Sequence, residues 1–296
     1  MINVNELRIQ YGEFTAVDGV TFEVRRNECF GLLGPNGAGK TTTFSALVGL
    51  LHPTGGAVLL DGAHDPREAA VRRRVGIAPQ ALALYDELTA HENIEFFGRM
   101  YGLRGGELRE RVRASLEFVG LQDRAGSPAK TYSGGMMRRL NLACGIVHDP
   151  ELVLLDEPTV GVDPQSRNQI FANIEELKRR GKTIVYTTHY MEEVERLCDR
   201  VLIMDRGRVL DLGTVPALIA RHGGGSAVTA ELAAPPPQGA ELPGVLSGDT
   251  LRVPTNDALA TIRDLDTRGL KIRRLSVEQP SLEDVFLNLT GRSLRD

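Results

Sequence analysis

"CFGLLGPNGAGKTTTF", residues 29–44, decides how the rest of the sequence is read. It begins as an apolar run of strand length and changes character at Gly34 into a glycine loop, then a lysine and three threonines. Glycines let successive backbone N–H groups turn to one side, and the helix opening behind them adds its positive end. Gly34, Pro35, Asn36, Gly37, Ala38 and Gly39 therefore read as a cradle for a polyphosphate. Lys40 stands where its ammonium reaches the β- and γ-phosphates, Thr41 where its hydroxyl ligates Mg²⁺, and Thr42 follows in the first helical turn. Glycine, four residues, then Gly-Lys-Thr is the P-loop pattern, here between a strand and a helix as the pattern requires.

Such a loop needs an acid on a neighbouring strand. "LVLLDEP" (152–158) supplies it: four apolar residues make a buried strand, and Asp156 emerges at its carboxyl end. Asp156 is expected to hold Mg²⁺, directly or through water, with Glu157 placed to polarise an attacking water. A second anion site is written into "TYSGGMMRRLNL" (131–142), where Ser133, Gly134 and Gly135 precede an apolar stripe of Met136, Leu140, Ala143 and Val147.

Working outward, residues 2–33 alternate like strands, a helix is expected from Thr41 to Leu51, and "GAVLLDG" and "RVGIAP" are strand-like. Thr89 and Glu92 have capping-box spacing and start a helical stretch. Pro164 opens another helix with Ile170, Ile174 and Leu177 on one face; "KTIVYTTH" is a strand, "YMEEVERLCD" a helix and "RVLIMDRGRVL" a hairpin. The alternation predicts a mainly parallel α/β core over 1–220, interrupted by a helical insert at about 85–145. Beyond "RHGGGS" (221–226) the composition changes. "AAPPPQGAELPG" (233–244) is loop-like, "SAVTAEL", "TLRVP" and "LKIRRLSV" are strand-like, and Ser281 caps a last helix, so 226–296 reads as a small C-terminal α+β domain.

Bulk properties narrow the partners. The 296 residues carry a net charge of −4, spread evenly, with no basic arm or groove, so no nucleic-acid partner is expected. Cys29, Cys144 and Cys198 are scattered and read as reduced thiols of a cytosolic protein. The N-terminus is no signal peptide, and no apolar run approaches the ~18 residues of a membrane span, so any membrane role must come from another chain. None of the five lysines follows an asparagine, which removes the guanine reader of a GTP switch.

The P-loop, "APQ" ending at Gln80, "YSGGM" (132–136), "LLDEP" and "TTH" ending at His189 occur in the order seen in ABC ATPases, and the chain resembles that superfamily over residues 1 to about 220. The resemblance implies a RecA-like P-loop NTPase core with an antiparallel β-subdomain, ATP and Mg²⁺ as cofactors, and a homodimer of nucleotide-binding subunits. Two copies would meet head to tail, so that Ser133 and the Gly135 amide touch the γ-phosphate held by the partner; Ser133 is otherwise, or also, an ordinary helix N-cap. Tyr11 would stack on adenine, or be a strand tyrosine. Gln80 would contact Mg²⁺ or the attacking water, and His189 would contact the γ-phosphate and orient Glu157. Asp163 would communicate across the dimer, or serve as the N-cap before Pro164. Tyr132, Met136 and Val160 depart from the usual signature and dimer-loop residues. The motifs and the tail "EQPSLEDVFLNLTGR" resemble the drug-exporter (daunorubicin-resistance) branch, whose permease is a separate integral-membrane chain. That implies a peripheral position at the cytoplasmic face of the plasma membrane, with 84–102 gripping the permease or else packing within the helical insert. Export of polysaccharide or lipid, or a non-transport ATPase, are the alternatives.

Overall fold

The computed structural model describes residues 1–236 and 242–292. It divides into two compact units, Met1–Val215 and Pro216–Asp296. In the first, β1 (Ile2–Tyr11) and β2 (Phe14–Val24) form a hairpin, and β3 (Cys29–Leu33) runs into the glycine loop, from which α1 (Lys40–Leu47) leaves. Then come β4 (Gly55–Leu60), α2 (Ala69–Arg72) and β5 (Val75–Ala78), followed by the helices α3 (Ala90–Met100), α4 (Gly105–Phe118) and α5 (Gly134–Ile146). The unit closes with β6 (Leu152–Asp156), α6 (Pro164–Arg179), β7 (Thr183–Thr188), α7 (Met191–Leu197), β8 (Arg200–Asp205) and β9 (Arg208–Gly213).

One six-stranded sheet, ordered β5-β6-β7-β3-β8-β9, is parallel except for β9, and an antiparallel sheet ordered β2-β1-β4 packs beside it. β6 is apolar without a break because both faces are covered. Val153 and Leu155 join Leu108, Val112, Leu140 and Ile174 of the helical side. Leu152 and Leu154 face the other way, toward Phe44, Leu47 and the antiparallel sheet. The parallel order puts the carboxyl ends of β3, β6 and β7 side by side, which gathers the P-loop, Asp156 and the His189 turn at one edge.

The capping box at Thr89 is present: its hydroxyl accepts from Glu92 N at 3.1 Å, and Glu92 accepts from Thr89 N at 2.8 Å. α1 stops at Leu47 rather than Leu51, because Gly49 turns left-handed (φ 71) and Leu50 N–H folds back to Ser45 O at 2.9 Å.

The second unit holds α8 (Val215–His222), which begins at the division, then β10 (Ser226–Leu232), β11 (Val245–Ser247), β12 (Thr250–Thr255), α9 (Ala258–Thr267), β13 (Ile272–Glu278) and α10 (Leu282–Thr290). Its antiparallel sheet runs β11-β12-β10-β13 over a core of Val228, Ala230, Leu251, Val253 and Leu265. The division lies ahead of the expected boundary at 220–226: α8 goes with this unit, where Asn288 donates to His222 O at 2.8 Å. α8, β11 and α9 escape the sequence reading; α9 is short, and its buried anchor is the single residue Leu265. Of the loop expected over 233–244, residues 237–241 lie outside the described residues.

Just past α5, the His148 ring stacks on Tyr101 (3.5 Å between centroids, 7° between planes), with Nε2 3.2 Å from Val75 O. Burial pushes the His148 pKa down to about 4. An unfolded chain takes up this proton near pH ~6.5, so stability is lost as pH falls from there toward the folded value. Melting temperatures measured at pH 7 and pH 5 are expected to show a smaller acid loss for His148→Phe than for the unsubstituted chain.

Candidate functional site

The site begins with the loop. Gly39 sits at φ 98, and a Cβ there would come within 2.7 Å of Ala16 O, so this turn admits only glycine. Lys40, 5% exposed, curls back over the loop: Nζ donates to Gly34 O at 2.8 Å and Pro35 O at 3.1 Å, and lies 3.3 Å from Glu157 Oε1. Burial pushes its pKa down against the pull of Glu157 and Asp156.

At the end of β6 the two acids part. Asp156 is buried, and burial raises its pKa against hydrogen bonds from the Thr187 and Thr41 hydroxyls. Glu157 takes a left-handed backbone (φ 45), an unusual conformation for a side chain of its size. Its N–H is shared between Thr187 Oγ1 (3.1 Å) and Thr187 O (3.2 Å), which holds the turn. The carboxylate then meets three groups: Lys40, Gln80 Nε2 at 3.1 Å and His189 Nδ1 at 3.3 Å. The structure thus brings Lys40, Gln80, Glu157 and His189 together. Thr41, Asp156 and Gln80 offer a hydroxyl, a carboxylate and an amide, the hard oxygen donors that suit Mg²⁺. No cluster of three or more His, Cys, Asp or Glu side chains fit for a metal occurs among the described residues, so such an ion would rely on bound phosphates for further ligands.

An open cleft above the loop is lined by Phe14, Ala16, Asn36, Gly37, Gly39, Lys40, Thr41, Thr42, Gln80 and Glu157. Gly34, Pro35 and Ala38 support it from behind, two through carbonyls bonded to Lys40 and the third as a buried side chain. Tyr11, 51% exposed at the end of β1, does not line it; Phe14, its partner across the hairpin turn, does. Phe14 is a residue the sequence reading missed, and an apolar ring at a hairpin edge was the available signal.

Ser133, Gly134 and Gly135 do not line their own chain's cleft. Ser133 caps α5, accepting from Met136 N at 3.3 Å, and Asp163 caps α6, accepting from Ser166 N at 3.0 Å. A Cβ on Gly135 would strike Ser166 Oγ at 2.1 Å, so this glycine also serves the packing of α5 on α6. Tyr132 is an internal anchor, with its hydroxyl on Arg124 O at 2.7 Å. Further along α5, Arg138 donates to Gln80 O and, at 3.4 Å, to Val160 O. Asn141, 4% exposed, accepts from Ala83 N at 3.2 Å and donates to Pro79 O at 3.1 Å. α5 therefore holds the Gln80 loop from both sides. Neither residue was singled out in the sequence, although an asparagine beside an apolar stripe is a flag.

The family model described as ABC transporter matches residues 17–160. The linearmycin resistance ATP-binding protein LnrL of Bacillus subtilis (strain 168) is 41% identical over 100% of both chains. A Nod factor export ATP-binding protein I of Ralstonia nicotianae is 42% identical over 100% of this chain and 95% of its own. Among solved structures, an ATP-binding subunit of an ABC transporter aligns with TM-score 0.68 and 31% identity, covering 75% of this chain and 92% of that one. A dimeric ATP-binding cassette in a post-hydrolysis state, bound to ADP and Pi, aligns at TM-score 0.66 and 26% identity, covering 72% and 98%.

An aromatic side chain stacked on a base contributes roughly 1–3 kcal/mol. If Phe14 stacks on the nucleotide's base, titration with a fluorescent ATP analogue is expected to show Phe14→Ala weakening binding at least about fivefold, with melting temperature held because the ring is 66% exposed.

Proposed function

The chain belongs to the ABC transporter ATP-binding proteins and hydrolyses ATP, and from that premise we propose that two copies close head to tail over two nucleotides to drive export through a separate permease. One observation supports this reading: two glycine-rich helix N-termini, each suited to an anion, do not share a cleft. The P-loop lines one, while the exposed Ser133 and Gly134 open α5 elsewhere. A second copy, placed head to tail, supplies the missing half to each site.

Lys40 is engaged by two carbonyls and Glu157. A bound γ-phosphate competes for that ammonium and frees the carboxylate. Glu157 then accepts the proton of a water whose oxygen attacks the γ-phosphorus, and ADP departs with the bridging oxygen. His189 and Gln80 hold the carboxylate in line, and the tight left-handed turn keeps it at the end of β6. Thr41, Asp156 and Gln80 would hold Mg²⁺, which neutralises phosphate charge when bound. Tyr11 and Phe14 together would flank the adenine. In the partner's site, the Ser133 hydroxyl and the Gly135 amide would meet the γ-phosphate, and Asp163, at the exposed turn before α6, would reach across the dimer.

Leu82, Tyr85, Phe96 and Met100 leave apolar surface exposed beside the Gln80 loop, with the rings of Tyr85 and Phe96 4.9 Å apart. Asn93, fully buried, fixes that loop through Tyr85 N at 2.8 Å and the carbonyls of Tyr85, Leu88 and Thr89. We assign this surface to the permease, which would hold the subunit at the cytoplasmic face of the membrane. No helix among the described residues is long and apolar enough to cross one. The two relatives above are named for linearmycin resistance and Nod factor export, which favours an antibiotic or another amphipathic molecule as cargo.

Light scattering on purified Glu157→Gln with Mg-ATP is expected to report a dimer that dissociates without nucleotide and is abolished by adding Ser133→Arg. An ATP-bound Glu157→Gln chain that stays monomeric would contradict closure by nucleotide alone.

A further inference from the structure

Glu193, in the first turn of α7, is a fully buried acid to which the mechanism above gives no task. A carboxylate withdrawn from water is tolerated only when its oxygens are fully engaged, and here they are. Oε2 accepts from Tyr186 Oη at 2.8 Å and Thr188 Oγ1 at 2.6 Å, and Oε1 accepts from Thr159 Oγ1 at 2.6 Å. Arg167 Nε stands at ion-pair distance, 3.2 Å from Oε1.

Two of those hydroxyls sit on the turns that carry the hydrolytic pair. Thr159 follows Glu157 by two residues, in a turn closed by Val160 N–H on Glu157 O at 3.3 Å. Thr188 immediately precedes His189. Its hydroxyl also accepts from Tyr190 N at 2.9 Å, the Tyr190 ring lies 4.1 Å from that of His189, and the Arg167 guanidinium covers Tyr190 at 5.4 Å. Because the Thr188 hydroxyl donates inward to Oε2, that oxygen's lone pairs are left to the Tyr190 amide, which sets the Thr188–His189–Tyr190 turn.

We propose that Glu193 is a positioning residue that locks the Glu157 turn and the His189 turn together, so that His189 Nδ1 meets Glu157 Oε1 at 3.3 Å. The inference rests on Glu157 and His189 being the hydrolytic pair, as read above. Glutamine is the near-isosteric substitution: its amide NH₂ competes as a donor for the Thr188 oxygen and reverses that hydrogen bond.

The test is single-turnover ATP hydrolysis and fluorescent-nucleotide binding on the purified full chain, for Glu193→Gln, His189→Ala and the double substitution. A misplaced catalytic group can cost up to about a hundredfold; Glu193→Gln is expected to slow hydrolysis at least about tenfold while nucleotide Kd changes less than about twofold. The double variant is expected to be no slower than His189→Ala alone, because Glu193 acts through the same pair. An unchanged rate in Glu193→Gln overturns the proposal, as does a loss that multiplies with that of His189→Ala. If His189→Ala itself hydrolyses normally, the reading of the pair fails instead, and this inference with it. Should Glu193→Gln not fold, Thr188→Val keeps two hydroxyls on the carboxylate and must show the same loss confined to rate; a normal rate there also overturns the proposal.

Discussion

The contact between Lys40 and Glu157, 3.3 Å long with both side chains almost wholly buried, is the point on which the rest of the site depends. Lys40 opens α1 and Glu157 follows β6, so the pair couples the phosphate loop to the strand that delivers the acid. An uncompensated charge at either position would cost several kcal/mol, by the general energetics of buried pairs. The surroundings supply compensation: two loop carbonyls on the ammonium, and Gln80 and His189 on the carboxylate. A γ-phosphate would offer Lys40 a stronger partner than a carboxylate already shared three ways, and so could displace this contact.

Around this pair the sheet acts as a scaffold. β3, β6 and β7 end side by side only because the strands are parallel and in register, and each is held by apolar packing on both faces. α5 also links two regions: Arg138 and Asn141 hold the Gln80 loop of its own chain, and in the proposed dimer its first turn would face the partner's nucleotide. A single helix would then lie between a site completed in trans and the loop beside the exposed aromatic surface. That gives a physical route by which nucleotide in one half could be felt at the permease side of the other, as a bias on a two-state element.

Much of this was legible in the residues, for a physical reason. The P-loop and the acid after β6 demand particular residue types at fixed short spacings, because backbone N–H groups, one ammonium and one carboxylate must converge on a small target. Helix caps at Thr89, Ser133, Asp163 and Ser281 were readable because a cap is a local contact over three residues. What stayed hidden joins distant parts of the chain. Arg138 meets Gln80 across 58 positions and Thr159 meets Glu193 across 34, and no local pattern encodes either. Glu193 beside Glu192 reads simply as an acidic first helical turn, and only burial distinguishes the one that points inward.

A hydrolytic site divided between two chains can be reassembled from two differently defective copies. Lys40→Ala lacks a working P-loop and keeps its Ser133 cradle; Ser133→Arg has the reverse defect. Each alone should hydrolyse ATP poorly, and a mixture should regain activity, since one site of the mixed dimer combines the intact P-loop of one chain with the intact cradle of the other. A mixture as inactive as its components, with mixed dimers verified by mass, would contradict a divided site. So would full activity in Ser133→Arg alone.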